Sequence, residues 1–248
     1  MRMRLFILTT LVAMPLLGAE PPGAASDFAA ANELYARGKF SDAAALYEKV
    51  LNSGTVSANL LFNDGNAEFK AGNLGRAIAA YRRAALLAPR DADIRANLDY
   101  ARNQVQGATL RQPRWEDWLG VLTLNEWAGL TAMAFWLAFA LFAAMQVHPP
   151  FKTALRGLAR GVAVAAVLGG TCLAAAAIIH FAKPIAVVIA PDANARSGPF
   201  NDAQNAFALH NGAEVAVLER RNGWMQVSDA SGRVGWLRDD EARFLPEI

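Results

Sequence analysis

The sequence predicts a multidomain chain: an all-α repeat region, a pair of membrane-crossing helices, and a small all-β module at the C-terminal end. Three observations lead there. Side chains recur at a 34-residue spacing between positions 24 and 106. Two long runs without a charge follow, at 127–147 and 161–182. Beyond position 184, short β-rich runs alternate with turn residues. The 248 residues leave room for two modest domains and their connections. Hydrophobic residues make up 54% and charged residues 19%, below the roughly 25% usual in soluble domains, and mean hydropathy is +0.18.

The first element is an export signal. Arg2 and Arg4 form a short positive region, residues 5–17 are apolar, and Gly18-Ala19 supplies the small residues of a cleavage site. The expectation is a signal peptide at 1–19 cut after Ala19, with an uncleaved anchor as the alternative. No cysteine follows it, so a lipoprotein is not expected.

Residues 24–106 hold the repeat. Tyr35, Gly38, Phe40, Ala43 and Tyr47 are followed 34 positions later by Phe69, Gly72, Leu74, Ala77 and Tyr81. Small residues where two helices cross, aromatics between them and this period resemble the tetratricopeptide signature, which implies an all-α solenoid of helix pairs. The second copy, with Gly65, Ala84 and Pro89, fits better than the first, where Ala31 stands at the glycine position. Asp91 is placed to cap a third, polar-faced helix over about 92–106. Asn32 and Asn66 are one repeat apart, as are Asn63 and Asn97. In tetratricopeptide domains of the carboxylate-clamp type, such positions line a concave groove, and an amide both donates and accepts toward an extended peptide. The resemblance makes Asn32, Phe62, Asn63, Asn66, Phe69, Lys70 and Asn97 the candidate protein-binding groove. Phe28 and Phe62 stand where the clamp uses lysine, so a terminal carboxylate is not the expected ligand. The other reading leaves the asparagines as helix-surface residues.

Residues 107–126 read as a linker with interfacial aromatics, Trp115 and Trp118, ahead of Trp127. The runs 127–147 and 161–182 contain 21 and 22 residues, each about 30 Å of helix, the thickness of the bilayer hydrocarbon. They predict a transmembrane hairpin, with Gly161, Gly169 and Gly170 giving the second helix a small-residue face. The segment between them, 148–160, carries Lys152, Arg156 and Arg160 and no acid. The positive-inside rule makes it a cytoplasmic loop. Both flanking domains then lie outside the inner membrane, in the periplasm, where the export signal also sends the first of them. Cys172 and His180, inside a hydrophobic helix, are expected to be packing residues.

Residues 184–248 change character. Strands are expected at 185–189, 213–219, 224–227 and 233–237, separated by Asn211-Gly212, Asn222-Gly223 and Ser231-Gly232. The phrases Ala195-Arg196-Ser197-Gly198-Pro199, Leu209-His210-Asn211-Gly212, Gly223-Trp224-Met225-Gln226-Val227 and Gly232-Arg233-Val234-Gly235-Trp236-Leu237 resemble the bacterial SH3-like domain, an all-β SH3-like barrel. That resemblance implies binding of cell-wall peptides or protein segments. It makes Arg196, Trp224 and Trp236 the peptide-binding candidates, Trp236 as the groove residue and Trp224 in the core, or both in the core.

The order of modules, with residues 61–78 and Leu124-Asn125-Glu126-Trp127, resembles BatE-like proteins of the Bacteroides aerotolerance (Bat) family. The resemblance implies a non-enzymatic inner-membrane component acting beside von Willebrand A-domain membrane proteins and a MoxR-type ATPase in stress tolerance. Chemistry of its own is not expected. Cys172 is the sole cysteine, and the three histidines, His148, His180 and His210, are scattered. No cofactor or metal is implied. With 24 Lys and Arg against 22 Asp and Glu, a nucleic-acid partner is not expected. The expected function is therefore a membrane-anchored adaptor whose partners are proteins and membrane lipid. The alternative is an envelope sensor binding peptidoglycan through the SH3-like domain. A polar path for transport is missing from the two runs.

Overall fold

The computed structural model describes residues 23–107, 110, 118–148, 150–182 and 184–245. The signal expected at 1–19 and Trp115 of the linker lie outside the described residues.

Five helices form the N-terminal part: α1 (Ala24–Ala36), α2 (Phe40–Asn52), α3 (Ala58–Lys70), α4 (Leu74–Leu87) and α5 (Ala92–Arg102). Each packs on its neighbours in sequence. The turns after α1 and α3 place Gly38 and Gly72 at φ 76° and 87°, a left-handed conformation that glycine adopts without cost. Ser57 caps α3 by accepting from Leu60 N, and Asp91 caps α5 by accepting from Asp93 N and Ile94 N. The α3–α4 crossing is so close that a Cβ on Gly65 would lie 2.6 Å from the Tyr81 ring. Ala31, one repeat earlier, is wholly buried. Tyr47, Val50, Leu60, Leu61 and Ile94 fill this core. The capping helix α5 ends at Arg102, short of the expected 106.

Two further helices, α6 (Leu124–Val147) and α7 (Phe151–Ala182), pack against each other, and both are long and apolar enough to cross a membrane. Thr123 opens α6 with a capping box: its hydroxyl accepts from Glu126 N at 3.2 Å and its own N–H donates to the Glu126 carboxylate at 2.9 Å. The helices approach at Gly169, where a Cβ would sit 2.9 Å from Thr131 Oγ1. That meeting point lies on the small-residue face expected from sequence. The segment 148–160 differs from its expectation as a loop. From residue 151 onward it is the start of α7, which is 32 residues long. After Pro150 the chain runs through leucine, alanine and arginine, good helix formers, and the positive charges do not oppose a helix.

The C-terminal part is one antiparallel sheet of β1 (Ile185–Val188), β2 (Asp192–Arg196), β3 (Asn205–His210), β4 (Glu214–Arg221), β5 (Trp224–Ser228), β6 (Val234–Arg238) and β7 (Ala242–Leu245). Its order is β3-β2-β6-β5-β4-β1-β7, so β3 and β7 are the edges. At the β4–β5 hairpin, Asn222 and Gly223 have φ 52° and 79°, the pair of positive angles a two-residue turn needs. Ala186, Val188, Val215, Met225, Val227 and Leu237 build the sheet's core. Val187, between two of them on β1, turns the other way and packs with Ile78, Leu98 and Leu245. β1 is thus buried on both faces, which accounts for the unbroken apolar run 185–189. The strands β2, β3 and β7 were not anticipated. Their inward positions are held by small or few apolar residues, such as Ala193 and Ala195 of β2, so the alternation lacked bulk.

Candidate functional site

The groove candidates of the helical part form a repeating hydrogen-bond ladder. Asn32 Oδ1 accepts from the Tyr47 hydroxyl at 2.6 Å and from Asn63 Nδ2 at 3.1 Å. One repeat later Asn66 Oδ1 accepts from the Tyr81 hydroxyl at 2.7 Å and from Asn97 Nδ2 at 2.9 Å. The aromatic neighbours repeat as well: ring centres of Phe28 and Tyr47 are 5.9 Å apart, and those of Phe62 and Tyr81 are 6.0 Å apart. Burial is the main cause that pushes the Tyr47 phenol up to about 12 and raises the Tyr81 phenol in the same direction. Both hydroxyls therefore stay protonated donors, and they fix which way each amide points. Among the described residues, the amide nitrogens of Asn32 and Asn66 have no hydrogen-bond acceptor. Two N–H donors one repeat apart suit the backbone carbonyls of an extended chain. Phe69 meets Tyr100 at a tilt, with ring centres 5.6 Å apart, Tyr100 is 61% exposed, and Lys70 is exposed at the end of α3.

The C-terminal candidates share one face of the sheet. Arg196 pairs with Trp236, Trp236 with Gln226, and Trp224 lies two positions from Gln226 on β5. Paired residues and alternate residues of a strand point to the same side. Met225, Val227 and Leu237 take the opposite, core side. Trp224 and Trp236 are nonetheless only 9% and 6% exposed. Arginines cover them: the guanidinium of Arg196 lies 5.5 Å from the Trp224 ring centre and that of Arg221 lies 4.9 Å from the Trp236 ring centre. Burial does not set Trp236 apart from Trp224.

A third group was not legible in the sequence. Glu214, at the start of β4, has a side chain only 1% exposed and receives Arg82 at 2.7 Å and Arg102 at 3.1 Å, both from the helical part. Asn211 Oδ1 accepts from Gly75 N of α4 at 2.6 Å, while its Nδ2 donates to Ile189 O at 2.7 Å and to Ala190 O at 3.1 Å. Arg243 of β7 donates to Glu48 of α2 at 2.8 Å. Among the described residues, these three polar ties join helices and sheet. A charged residue opening an apolar strand was the one hint the sequence held for Glu214. Next to this junction, Asp64 is buried, and burial followed by the nearby Glu68 and Glu48 pushes its carboxyl up to about 7, against the pull of Arg243 and Arg83. At the other end of the helical part, Arg90 grips Glu126 through two hydrogen bonds of 3.2 and 2.6 Å. This exposed pair ties the α4–α5 turn to the first residues of α6. Among the described residues, no group of three or more His, Cys, Asp or Glu is placed to hold a metal ion.

Residues 190–242 match the family described as the bacterial SH3 domain, a stretch that contains β2 to β6. No protein of curated function matches the chain. The match suggests a protein- or peptidoglycan-binding module, and two helices are long and apolar enough to cross a membrane.

Proposed function

We propose that the chain is a non-enzymatic, membrane-anchored adaptor. In this reading α1–α5 are a two-repeat tetratricopeptide solenoid with a capping helix, and its groove takes an extended segment of a partner protein. The observation that supports it most is the Tyr–Asn–Asn ladder repeated at 34 residues, which orients unpaired amide donors along one side of the helices. The C-terminal sheet, an SH3-like barrel in this reading, adds a second binding surface at Arg196, Trp224 and Trp236. Two sites on one anchored body raise the effective concentration of one partner near another.

The body sits on the periplasmic side of the inner membrane. Lys152, Arg156 and Arg160, at the α6–α7 end of the hairpin, support that orientation. The direct contact of Gly75 with Asn211 supports placing both modules on one side, since the hairpin returns the chain to the side it left. The order of modules favours partners of the Bat kind, von Willebrand A-domain membrane proteins and a MoxR-type ATPase in stress tolerance.

A photocrosslinking residue at Lys70 in the full-length membrane protein tests the groove. The expected result is a discrete protein adduct that disappears when Asn66 is changed to alanine. Recovery of lipid alone, or an adduct indifferent to Asn66→Ala, contradicts it. The bacterial SH3 match favours one alternative, an envelope sensor that binds peptidoglycan. Co-sedimentation with purified cell-wall sacculi that is lost on Trp236→Ala would move the assignment to that reading.

A further inference from the structure

The junction between helices and sheet has an apolar centre that belongs to neither part alone. Ile78, Leu98 and Ala101 close on Val187 and Leu245. Around it stand the three ties: Arg82 and Arg102 on Glu214, Asn211 on Gly75, and Arg243 on Glu48. The fit is tight at backbone level. A Cβ on Gly75 would lie 2.1 Å from Val188 O, and one on Gly212 would lie 2.8 Å from Val105 Cγ2 and 3.0 Å from Ile78 Cδ1.

We propose that this junction is a latch, with Glu214 at its centre, that couples α4 and α5 to the strands packed on them, so that α4 and β1 do not open without each other. The physical reason lies in how partial opening would proceed. Arg82 is 13% exposed and Glu214 is 1% exposed at the side chain. Burial lowers the affinity of the Arg82 guanidinium for its proton, and the nearby Glu214 charge offsets part of that loss, against the repulsion of Arg102. A small separation would break this pairing before water could reach either group, and an uncompensated buried charge is strongly unfavourable. Small separations are therefore suppressed, and the parts move together or come fully apart. β1, which supplies Val187 to the apolar centre, lies outside the matched segment 190–242. The chain thus extends a common binding module by a strand buried on both faces and uses it to seat the module on α4. Whatever binds the Trp224–Trp236 face is held in fixed register with the helical part. This inference requires no ligand in the groove and stands apart from the adaptor reading.

Amide hydrogen exchange on the full-length chain in detergent micelles tests the latch. With Glu214→Ala, exchange in 74–80 and in 185–188 is expected to accelerate together, by about tenfold or more, while 24–36 keeps its wild-type rate. Arg102→Gln leaves Arg82 on the carboxylate, so it is expected to give a smaller acceleration in the same two segments, and it decides the matter if Glu214→Ala does not fold. Acceleration in 185–188 with 74–80 unchanged, or no change in either, would overturn the latch.

Discussion

Asn211, in the turn before β4, accepts a hydrogen bond at 2.6 Å from the backbone N–H of Gly75 in the first turn of α4. It thereby caps a helix 136 residues away in sequence. Asn73, the residue in the N-cap position of α4, makes no capping bond, and its amide donates instead to Glu68. The first turn of a helix has N–H groups without partners in the helix itself, and here another domain supplies one.

Gly75→Ala is the sharpest probe of that contact. The added methyl would collide with the Val188 carbonyl, a backbone atom that cannot rotate away. Alanine ordinarily favours a helix over glycine by about 1 kcal/mol. Here the substitution is expected to destabilise the chain by about 1–3 kcal/mol in chemical denaturation, the range of steric overpacking at a closed site. A neutral or stabilising result would mean that α4 and β1 do not touch in solution.

The ladder predicts equal behaviour at equivalent positions. Tyr47→Phe and Tyr81→Phe each remove a hydroxyl that donates to an asparagine and leave the ring packing in place. Each is expected to cost about 1–2 kcal/mol of folding stability. A loss at one tyrosine and none at the other would break the repeat-by-repeat equivalence.

Asp64 predicts a pH dependence of definite sign. Its carboxyl is raised from 3.8 to about 7 in the folded chain, first by burial, then by Glu68 and Glu48, with Arg243 and Arg83 pulling the other way. Between those two values the folded chain holds a proton that the unfolded chain releases. The stabilisation is complete below about pH 4 and is lost as pH rises through about 7. Asp64→Asn imitates the protonated form at every pH. It is expected to match wild type within about 1 kcal/mol at pH 4 and to exceed it by about 4 kcal/mol at pH 8. Denaturation curves at the two pH values check this, and a variant less stable than wild type at pH 8 contradicts it.

The sequence revealed the features that repeat or persist locally. Gly38 and Gly72, Ala43 and Ala77, and Tyr47 and Tyr81 mark the helix pairs because crossings and turns need small or left-handed residues at fixed spacing. The asparagine spacing was visible too, while the tyrosine hydroxyls that hold the amides were not, since Tyr47 and Tyr81 read as core aromatics. Asn211-Gly212 read correctly as a turn, but nothing local tells that its side chain reaches α4. Glu214 lies over a hundred residues from both Arg82 and Arg102, and an ion pair between distant segments leaves no periodic trace. The segment 148–160 reads as a loop because it lies between the two uncharged runs, whereas its helix-forming residues begin α7 at Phe151. Trp224 and Trp236 were found by their phrases, and their shielding by Arg196 and Arg221 depends on strand register alone.

The adaptor account depends most on both modules lying outside the inner membrane. In a Cys172→Ala background, single cysteines at Lys39, Thr153 and Ser231 are treated in intact spheroplasts with a membrane-impermeant maleimide. All three positions are exposed, in the α1–α2 turn, the first turn of α7 and the β5–β6 turn. The account predicts labelling at 39 and 231 without lysis, and at 153 only after it. Labelling at 153 in intact spheroplasts, or protection of 39 or 231 until lysis, contradicts it.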